Sequence, residues 1–228
     1  MDFSIFERNA GVTFTDKGLL KQAFIHRSYL NENRGLKMEH NERLEFLGDA
    51  VLELVITDYL YKKYPDKAEG DLTAYRSALV NSTTLAIAAE KIGMNSFLLL
   101  SKGEAKDTGR ARQFILANTF ESFVGAIYLD QGYEEARGFI SRQLFDLIED
   151  IISNKGFIDA KSHFQERAQE KVGITPSYKL IKETGPDHNK VFTVGLHLGD
   201  ELVITGDGKS KQEAEQKAAQ GALELKRW

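Results

Sequence analysis

Three carboxylates interrupt the otherwise apolar stretch NERLEFLGDAVLEL at residues 41–54. On a helix that turns about 100° per residue, Glu42, Glu45 and Asp49 lie on one narrow face. Almost opposite on the same helix lie Leu44, Leu47, Val51, Leu54 and Val55, which is typical of a face that enters a core. Like charges at this spacing destabilise a helix slightly, whereas the same oxygens are ligands that Mg²⁺ prefers.

The same stretch has a second interpretation, in which it is only a solvated acidic stripe. Charged outer faces are common on helices. Glu53 lies on the same face as the three acids and has equally good spacing. Spacing alone therefore leaves both interpretations open.

A second stretch, ILANTFESFVGAIYLD at residues 115–130, repeats this design. Its large apolar residues recur on one side of a helix, and Asn118 and Glu121 lie about 60° apart on the other. If this helix packs against the first one, an all-oxygen site forms. Its members are Glu45, Asp49, Asn118 and Glu121.

Composition limits the classes of protein that the chain can represent. The 228 residues are 42% hydrophobic and 28% charged, which is a globular composition long enough for one or two domains. Cysteine is absent, so disulfides, thiolate nucleophiles and zinc–thiolate sites are excluded. No apolar run approaches the roughly 20 residues of a membrane span, and no secretory signal is evident, so we expect a cytoplasmic location and no membrane partner.

Hydrophobic periodicity divides the chain in two. Helical spacing predicts a mainly α domain over residues 1–152, with helices in 17–30, 43–64, 72–93, 112–130 and 133–152. A linker over 153–158 precedes a small α+β domain over 159–228. That domain reads α-β-β-β-α, with helices in 160–173 and 209–228 and strands in 177–185, 190–199 and 201–208.

The motifs resemble those of a known family. NERLEFLGDAVLEL is similar to the signature of ribonuclease III enzymes, and the likeness continues through HRSYLNE (26–32), EGDLTAYRSALV (69–80) and ILANTFESFVGAIYLD. The tail resembles a double-stranded RNA-binding domain, with GPDHNKVFTV in its middle and GKSKQEAEQKAA opening its last helix. The resemblance covers nearly the whole chain in the order of a bacterial-type enzyme. It implies a helical, ribonuclease III-like endonuclease domain followed by the RNA-binding domain.

The resemblance also implies an activity and a site. The family hydrolyses double-stranded RNA to 5′-phosphate and 3′-hydroxyl ends, works as a homodimer, and processes ribosomal and messenger RNA. Its catalytic carboxylates correspond to Glu45, Asp49 and Glu121, which with Asn118 would hold Mg²⁺, or Mn²⁺ in its place. Asn118 stands where the family usually has aspartate, which predicts weaker metal affinity. Two further acids, Glu42 and Glu69, would form an outer cluster.

Duplex RNA is recognised through its shape, its 2′-hydroxyls and its phosphates, over a span of about 16 base pairs. Three regions of the tail fit this task. The first region is the start of the last helix, with Lys209, Lys211 and Lys217. The second is the polar face of the first helix, with Ser162, Gln165 and Glu166. The third is the loop GPDHN, with His188. Taken singly, each could equally be solvated surface.

Two other functions are compatible with the same motifs, namely a regulator that binds double-stranded RNA without useful catalysis and a ribosome-associated scaffold with the same fold. Asn118 is the one feature that favours a catalytically weak or inactive regulator that only binds double-stranded RNA. GDGKS at residues 206–210 suggests a nucleotide-binding loop, but that motif requires a glycine at the position of Val203. We therefore expect no nucleotide cofactor.

Overall fold

The computed structural model describes residues 2–147, 160–186 and 190–228. Contacts divide the chain into two compact units: Met1–Lys67 with Tyr75–Ser153, and Ala68–Ala74 with Asn154–Trp228. The predicted linker 153–158 lies outside the described residues. The predicted domain bounds at 152 and 159 also fall there, and they stay predictions.

The described chain before residue 148 is mainly helical, as expected. Its helices are α1 Ser4–Ala10, α2 Lys17–Ala23, α3 Arg27–Glu32, α4 Glu42–Lys63, α5 Glu69–Leu79, α6 Ser82–Lys91, α7 Arg110–Gln131 and α8 Tyr133–Leu144. Two short 3₁₀ turns, Met94–Phe97 and Glu104–Lys106, precede α7. Among the described helices, none is long and apolar enough to cross a membrane.

Two stretches predicted as single helices are each divided in two. In 17–30 the chain leaves helical geometry at Ile25, which forms a bridge with Leu99, and the His26 side chain then caps α3. In 72–93 the Asn81 side chain accepts from Thr84 N at 2.9 Å and starts a new helix. Periodicity missed both breaks because the apolar spacing continues across them.

The core of the first unit surrounds α7, which is buried along most of its length. Phenylalanine rings fill the space beside it. The Phe6 ring lies 4.8 Å from that of Phe24 and 5.0 Å from that of Phe123, both in edge-on geometry. Such pairs add about 0.5–1.5 kcal/mol each beyond their buried area. The helix that carries Asn118 and Glu121 is therefore held firmly in place.

After residue 159 the described chain follows the predicted α-β-β-β-α order. The elements are α9 Ala160–Val172, β1 Pro176–Thr184, β2 Val191–Leu198, β3 Glu201–Gly208 and α10 Lys211–Lys226. The strands form an antiparallel sheet in the order β1-β2-β3. Tyr178 pairs with Leu196, and Leu196 pairs with Ile204.

One face of this sheet packs against both helices. The shared core joins Phe164 of α9 to Leu196 of β2 and to alanines of α10. Small residues permit the contact, because a Cβ atom at Gly206 would lie 2.4 Å from the Ala214 carbonyl oxygen. The small alanine side chains of the last helix therefore allow it to pack closely against the sheet.

Candidate active site

Two glycines bring α4 and α7 into backbone contact. A Cβ atom at Gly48 would lie 1.8 Å from the Glu121 carbonyl oxygen, so only glycine fits. This crossing lies between Glu45 and Asp49 on one helix and beside Glu121 on the other. The two polar faces that the sequence predicted therefore meet at one place.

The carboxylates at the crossing influence one another. Burial, together with the nearby charges of Asp49 and Glu45, raises the pKa of Glu121 to about 8. Burial also raises the pKa of Glu45, with Glu42 and Asp49 adding to the effect, while a hydrogen bond from the Asn118 amide opposes it. The structure thus brings together all four predicted ligand positions, and Glu42 lies at their edge.

The donors at this crossing suit a hard divalent cation. They are three carboxylates and one amide oxygen, the ligand types that Mg²⁺ prefers. The pKa values of Glu45 and Glu121 are raised mainly by burial and then by neighbouring carboxylates, and a bound cation would favour the charged form of both side chains. In the described part of the chain, no three His, Asp or Glu side chains are grouped closely enough to hold an ion as they stand. Ligation would therefore need side-chain rotations that draw these oxygens together.

The outer acidic residues differ from each other. The Glu42 carboxylate is about half exposed and lies 3.9 Å from Arg27 and 3.7 Å from His40. Glu69 opens α5 within the segment Ala68–Ala74, and its carboxylate accepts from Thr73 Oγ1 at 3.0 Å. The membership of Glu69 in an outer cluster stays a prediction. Glu53 is exposed and has no part in the shifted pKa values of the cluster.

The predicted RNA-binding residues of α9 share one exposed face. Ser162, Gln165 and Glu166 are spaced as helical neighbours and are exposed, while Phe164 and Ala168 are buried in the core. The arrangement is that of an amphipathic helix with its polar face outward. His188 lies outside the described residues.

The start of α10 carries the predicted lysines. Ser210 Oγ accepts from Glu213 N at 3.1 Å, and the Glu213 carboxylate accepts from Lys209 N at 2.8 Å. Lys209 and Lys211 are exposed beside this capped end. Lys217, one turn on, forms an ion pair with Glu213 at 2.8 Å. Lys209 and Lys211 are therefore better placed than Lys217 to meet a phosphate.

Two buried polar residues at the crossing were missed by the sequence analysis. Asn41 precedes α4, and Ser122 follows Glu121 on α7; both are almost fully buried. The one signal in the sequence was that Asn41 and Ser122 are polar residues inside stretches with otherwise clear apolar faces. Periodicity cannot tell such a residue from a cap or a surface position.

Comparison with known proteins now places the chain. A family model described as ribonuclease-III-like matches residues 16–148, and a double-stranded RNA binding motif matches residues 160–226. Ribonuclease 3 of Borreliella burgdorferi is 49% identical over 221 residues, covering 96% of this chain and 89% of the relative. Ribonuclease 3 of Bacillus cereus is 45% identical, covering 97% and 90%.

A solved structure gives the same assignment for the helical unit. The nuclease domain of ribonuclease III from Campylobacter jejuni aligns with a TM-score of 0.56 and 38% identity, covering 62% of this chain and 98% of that domain. The fold and its acidic helix pair define an endoribonuclease with an appended RNA-binding module. The chain belongs to the ribonuclease III family, whose members act on double-stranded RNA.

Proposed function

We propose that this chain cleaves double-stranded RNA with Mg²⁺ held by Glu45, Asp49, Asn118 and Glu121. Mn²⁺ can take the place of Mg²⁺ at such an all-oxygen site. The observation that carries the proposal is the meeting of α4 and α7 at Gly48, where the charges of Asp49 and Glu45 act on Glu121 and the Asn118 amide is hydrogen-bonded to Glu45.

The side chains would divide the work. When bound, Mg²⁺ supplies a water of lowered pKa and a positive charge for the leaving oxygen. Glu121, the most buried of the carboxylates with a shifted pKa, would hold the ion most directly, and Asp49 and Glu45 would fix it from α4. Asn118 contributes an uncharged oxygen and a hydrogen bond to Glu45. Hydrolysis would leave 5′-phosphate and 3′-hydroxyl ends.

The RNA-binding motif would supply most of the affinity for the duplex. Lys209 and Lys211 lie exposed at the start of α10, where the helix dipole also favours a phosphate. The exposed polar face of α9 can reach 2′-hydroxyls in a minor groove. These contacts read the shape of the duplex and leave its sequence unread.

Cleavage of both strands requires two sites, which a two-fold symmetric homodimer would supply. An exposed apolar face on α4 supports this assembly. Phe46, Leu54 and Tyr61 lie within about 80° of each other around the helix, and are 82%, 57% and 72% exposed. A stable monomer seldom leaves such a row of large side chains in water.

A cavity beside Phe46 offers a receptor for the matching residue of a second copy. Its volume is about 590 Å³, and leucines of α2, α4 and α7 line much of it: Leu19, Leu44, Leu47 and Leu129. Because a two-fold axis pairs each patch with itself, one helix can supply both the projecting ring and part of its receptor. The Campylobacter nuclease domain carries a region described as involved in dimer formation.

The proposed substrates are precursors of ribosomal RNA and structured messenger RNA in the cytoplasm. The bacterial relatives named ribonuclease 3 support the ribonuclease activity on which this proposal rests. The alternative, an inactive regulator that binds duplex RNA, rested on Asn118. The comparisons give it no support, because the relatives are named ribonuclease 3. The three acids Glu45, Asp49 and Glu121 are also all present in this chain.

The decisive experiment compares Glu121→Gln with the unaltered full-length chain on a long, perfectly paired RNA, over a titration of Mg²⁺. Loss of a charged ligand should reduce cleavage by about 100-fold or more, since even groups that only support a ligand cost 10–100-fold. Duplex binding, measured by filter retention in chelator, should be nearly unchanged.

Glu53→Gln is the matched control, because it removes the same charge from an exposed position on α4. It should leave the rate and the Mg²⁺ dependence as they are. Cleavage by Glu121→Gln at the rate of the unaltered chain would show that the site is assigned wrongly. Undiminished cleavage by the unaltered chain in chelator would exclude the metal mechanism.

A further inference from the structure

Asn41 begins α4 in an unusual way. An asparagine at the start of a helix normally turns its side-chain oxygen onto the first turn. Asn41 makes no such bond, although only 4% of its surface is exposed. Its Nδ2 donates instead to the Ala23 carbonyl at 3.1 Å. The side chain thus gives up a capping bond to reach a different segment of the chain.

The backbone of Asn41 extends this connection to both acidic helices. Its N–H donates to the Ile25 carbonyl at 2.9 Å, and its own carbonyl accepts from Glu45 N at 2.9 Å. The Ser122 hydroxyl donates to the Asn118 carbonyl, with 2.7 Å between the two oxygens. The same hydroxyl oxygen lies 3.3 Å from the Asn41 carbonyl oxygen, which is its second acceptor. One buried residue therefore links the first turn of α4 to the part of α7 that carries Asn118.

The glycine crossing alone does not settle the register of these helices. Gly48 and Gly125 let the two backbones approach, but they have no side chains that would resist sliding of one helix along the other. A hydrogen bond is directional and weakens steeply with misalignment. The contact between Ser122 and Asn41 therefore adds a directional restraint to the packing of the buried side chains of α4 and α7, because its geometry is met at one axial position.

We propose that Asn41 and Ser122 are positioning residues, which hold α4 and α7 in the register at which Glu45 meets Asn118 and Glu121. The inference rests on the proposed function, because it concerns the metal ion that those side chains would bind. Both residues are buried, so neither is expected to touch RNA. They act on the reaction only through the carboxylates.

Each residue has a matched control within the same chain. Asn81 also begins a helix, and its side chain donates to the Ala78 carbonyl at 2.8 Å and accepts from Thr84 N at 2.9 Å. Ser141 donates to the Arg137 carbonyl at 2.7 Å, as Ser122 does to that of Asn118. The test pairs are Asn41→Ala with Asn81→Ala, and Ser122→Ala with Ser141→Ala.

The first readout is the affinity of the full-length chain for Mn²⁺ in the absence of RNA, measured by isothermal titration calorimetry. The second is kcat and KM for cleavage of a long duplex. Asn41→Ala and Ser122→Ala should weaken Mn²⁺ binding by about 10-fold, the scale on which groups supporting metal ligands act. They should lower kcat while leaving KM nearly unchanged. The two controls should lower the melting temperature without changing Mn²⁺ binding.

Mn²⁺ binding equal to that of the unaltered chain in Asn41→Ala and Ser122→Ala, with only the melting temperature lowered, would overturn the positioning role. Should Asn41→Ala fail to fold, Ser122→Ala decides by itself, because it removes a single hydroxyl. Failure of the proposed function would be detected separately, in the measurements on the unaltered chain. The unaltered chain would then bind no Mn²⁺ and cleave in chelator, and the positioning role would fall with it.

Discussion

Gly125 and Gly48 face each other where α7 crosses α4. A Cβ atom at Gly125 would lie 2.3 Å from the Leu44 carbonyl oxygen and 3.0 Å from the Gly48 nitrogen. The atoms in the way are backbone, which cannot turn aside as a side chain can. The close approach of the α4 and α7 backbones therefore depends on the absence of a side chain at both Gly48 and Gly125.

Gly48→Ala should destabilise the protein. The added methyl would meet backbone atoms of α7, and overpacking of this kind costs about 1–3 kcal/mol or more. Thermal unfolding in chelator should show the loss, with reduced cleavage at temperatures below the transition. Gly35→Ala is the control, because a Cβ atom there meets nothing within 4 Å. Equal melting temperatures for the two variants would contradict the close contact.

The metal-free protein should lose stability as the pH rises. Glu121 titrates near 4.5 when unfolded and at about 8 when folded, so the folded state binds the extra proton across this window. Its contribution is fully present below pH 4.5 and declines up to pH 8. Melting temperatures in chelator should show this slope, and Glu121→Gln should flatten it. A slope that the variant leaves unchanged would assign the titration to another group.

Asn118→Asp should lower the stability of the metal-free protein and raise its affinity for a metal ion. A fourth carboxylate would replace the amide that donates to Glu45, so repulsion would lower the melting temperature in chelator. The added charge should tighten Mn²⁺ binding by roughly 10-fold, in line with other changes around bound metals. Calorimetric titration measures this effect, with Asn9→Asp, an exposed asparagine of α1, as the control. Weaker Mn²⁺ binding by the aspartate variant would count against a ligand role for this position.

Lys209→Ala combined with Lys211→Ala should weaken duplex binding and reduce its dependence on salt. Each lost phosphate contact removes about one counterion from the logarithmic salt slope, so the slope should fall by about 1–2. Binding measured over a range of KCl concentrations gives both quantities. Lys179→Ala with Lys182→Ala removes the same charge from exposed positions of β1. If the control pair has the same effect, net charge rather than the start of α10 governs affinity.

Phe46→Glu should leave the chain monomeric. Phe46 is the most exposed large apolar side chain in the described part of the chain, and a charge at this position would be buried without a partner in the proposed dimer. Sedimentation velocity measures the oligomeric state, and Ile87→Glu, at an exposed isoleucine of α6, is the control. An unchanged dimer in Phe46→Glu would place the interface elsewhere.

Helical periodicity predicted the two polar faces that meet at the site. Glu45, Asp49, Asn118 and Glu121 all came from residue spacing on α4 and α7, and the structure brings them together. The division at Ile25 could not be predicted, because it depends on pairing with Leu99, which is distant in the sequence. The role of Asn41 was hidden for the same reason.

The second unit was more fully predicted than the first. Its strands alternate with period two and are separated by strong turn residues, so the order of its elements could be read directly from the sequence. What spacing could not supply was the face of α10 that packs on the sheet. That face depends on Gly206 and Gly208, whose missing side chains admit the helix backbone.

The raised pKa of Glu121 would make binding of the proposed metal ion an exchange with a proton. Because the pKa of Glu121 is raised to about 8, an ion bound by this carboxylate near neutral pH would release a proton into the solvent. The heat of binding should then vary with the ionisation enthalpy of the buffer, and half-saturation should need less metal in alkaline solution. If the proposed Mg²⁺ site exists, the occupancy of that site would depend on both pH and the free Mg²⁺ concentration through Glu121.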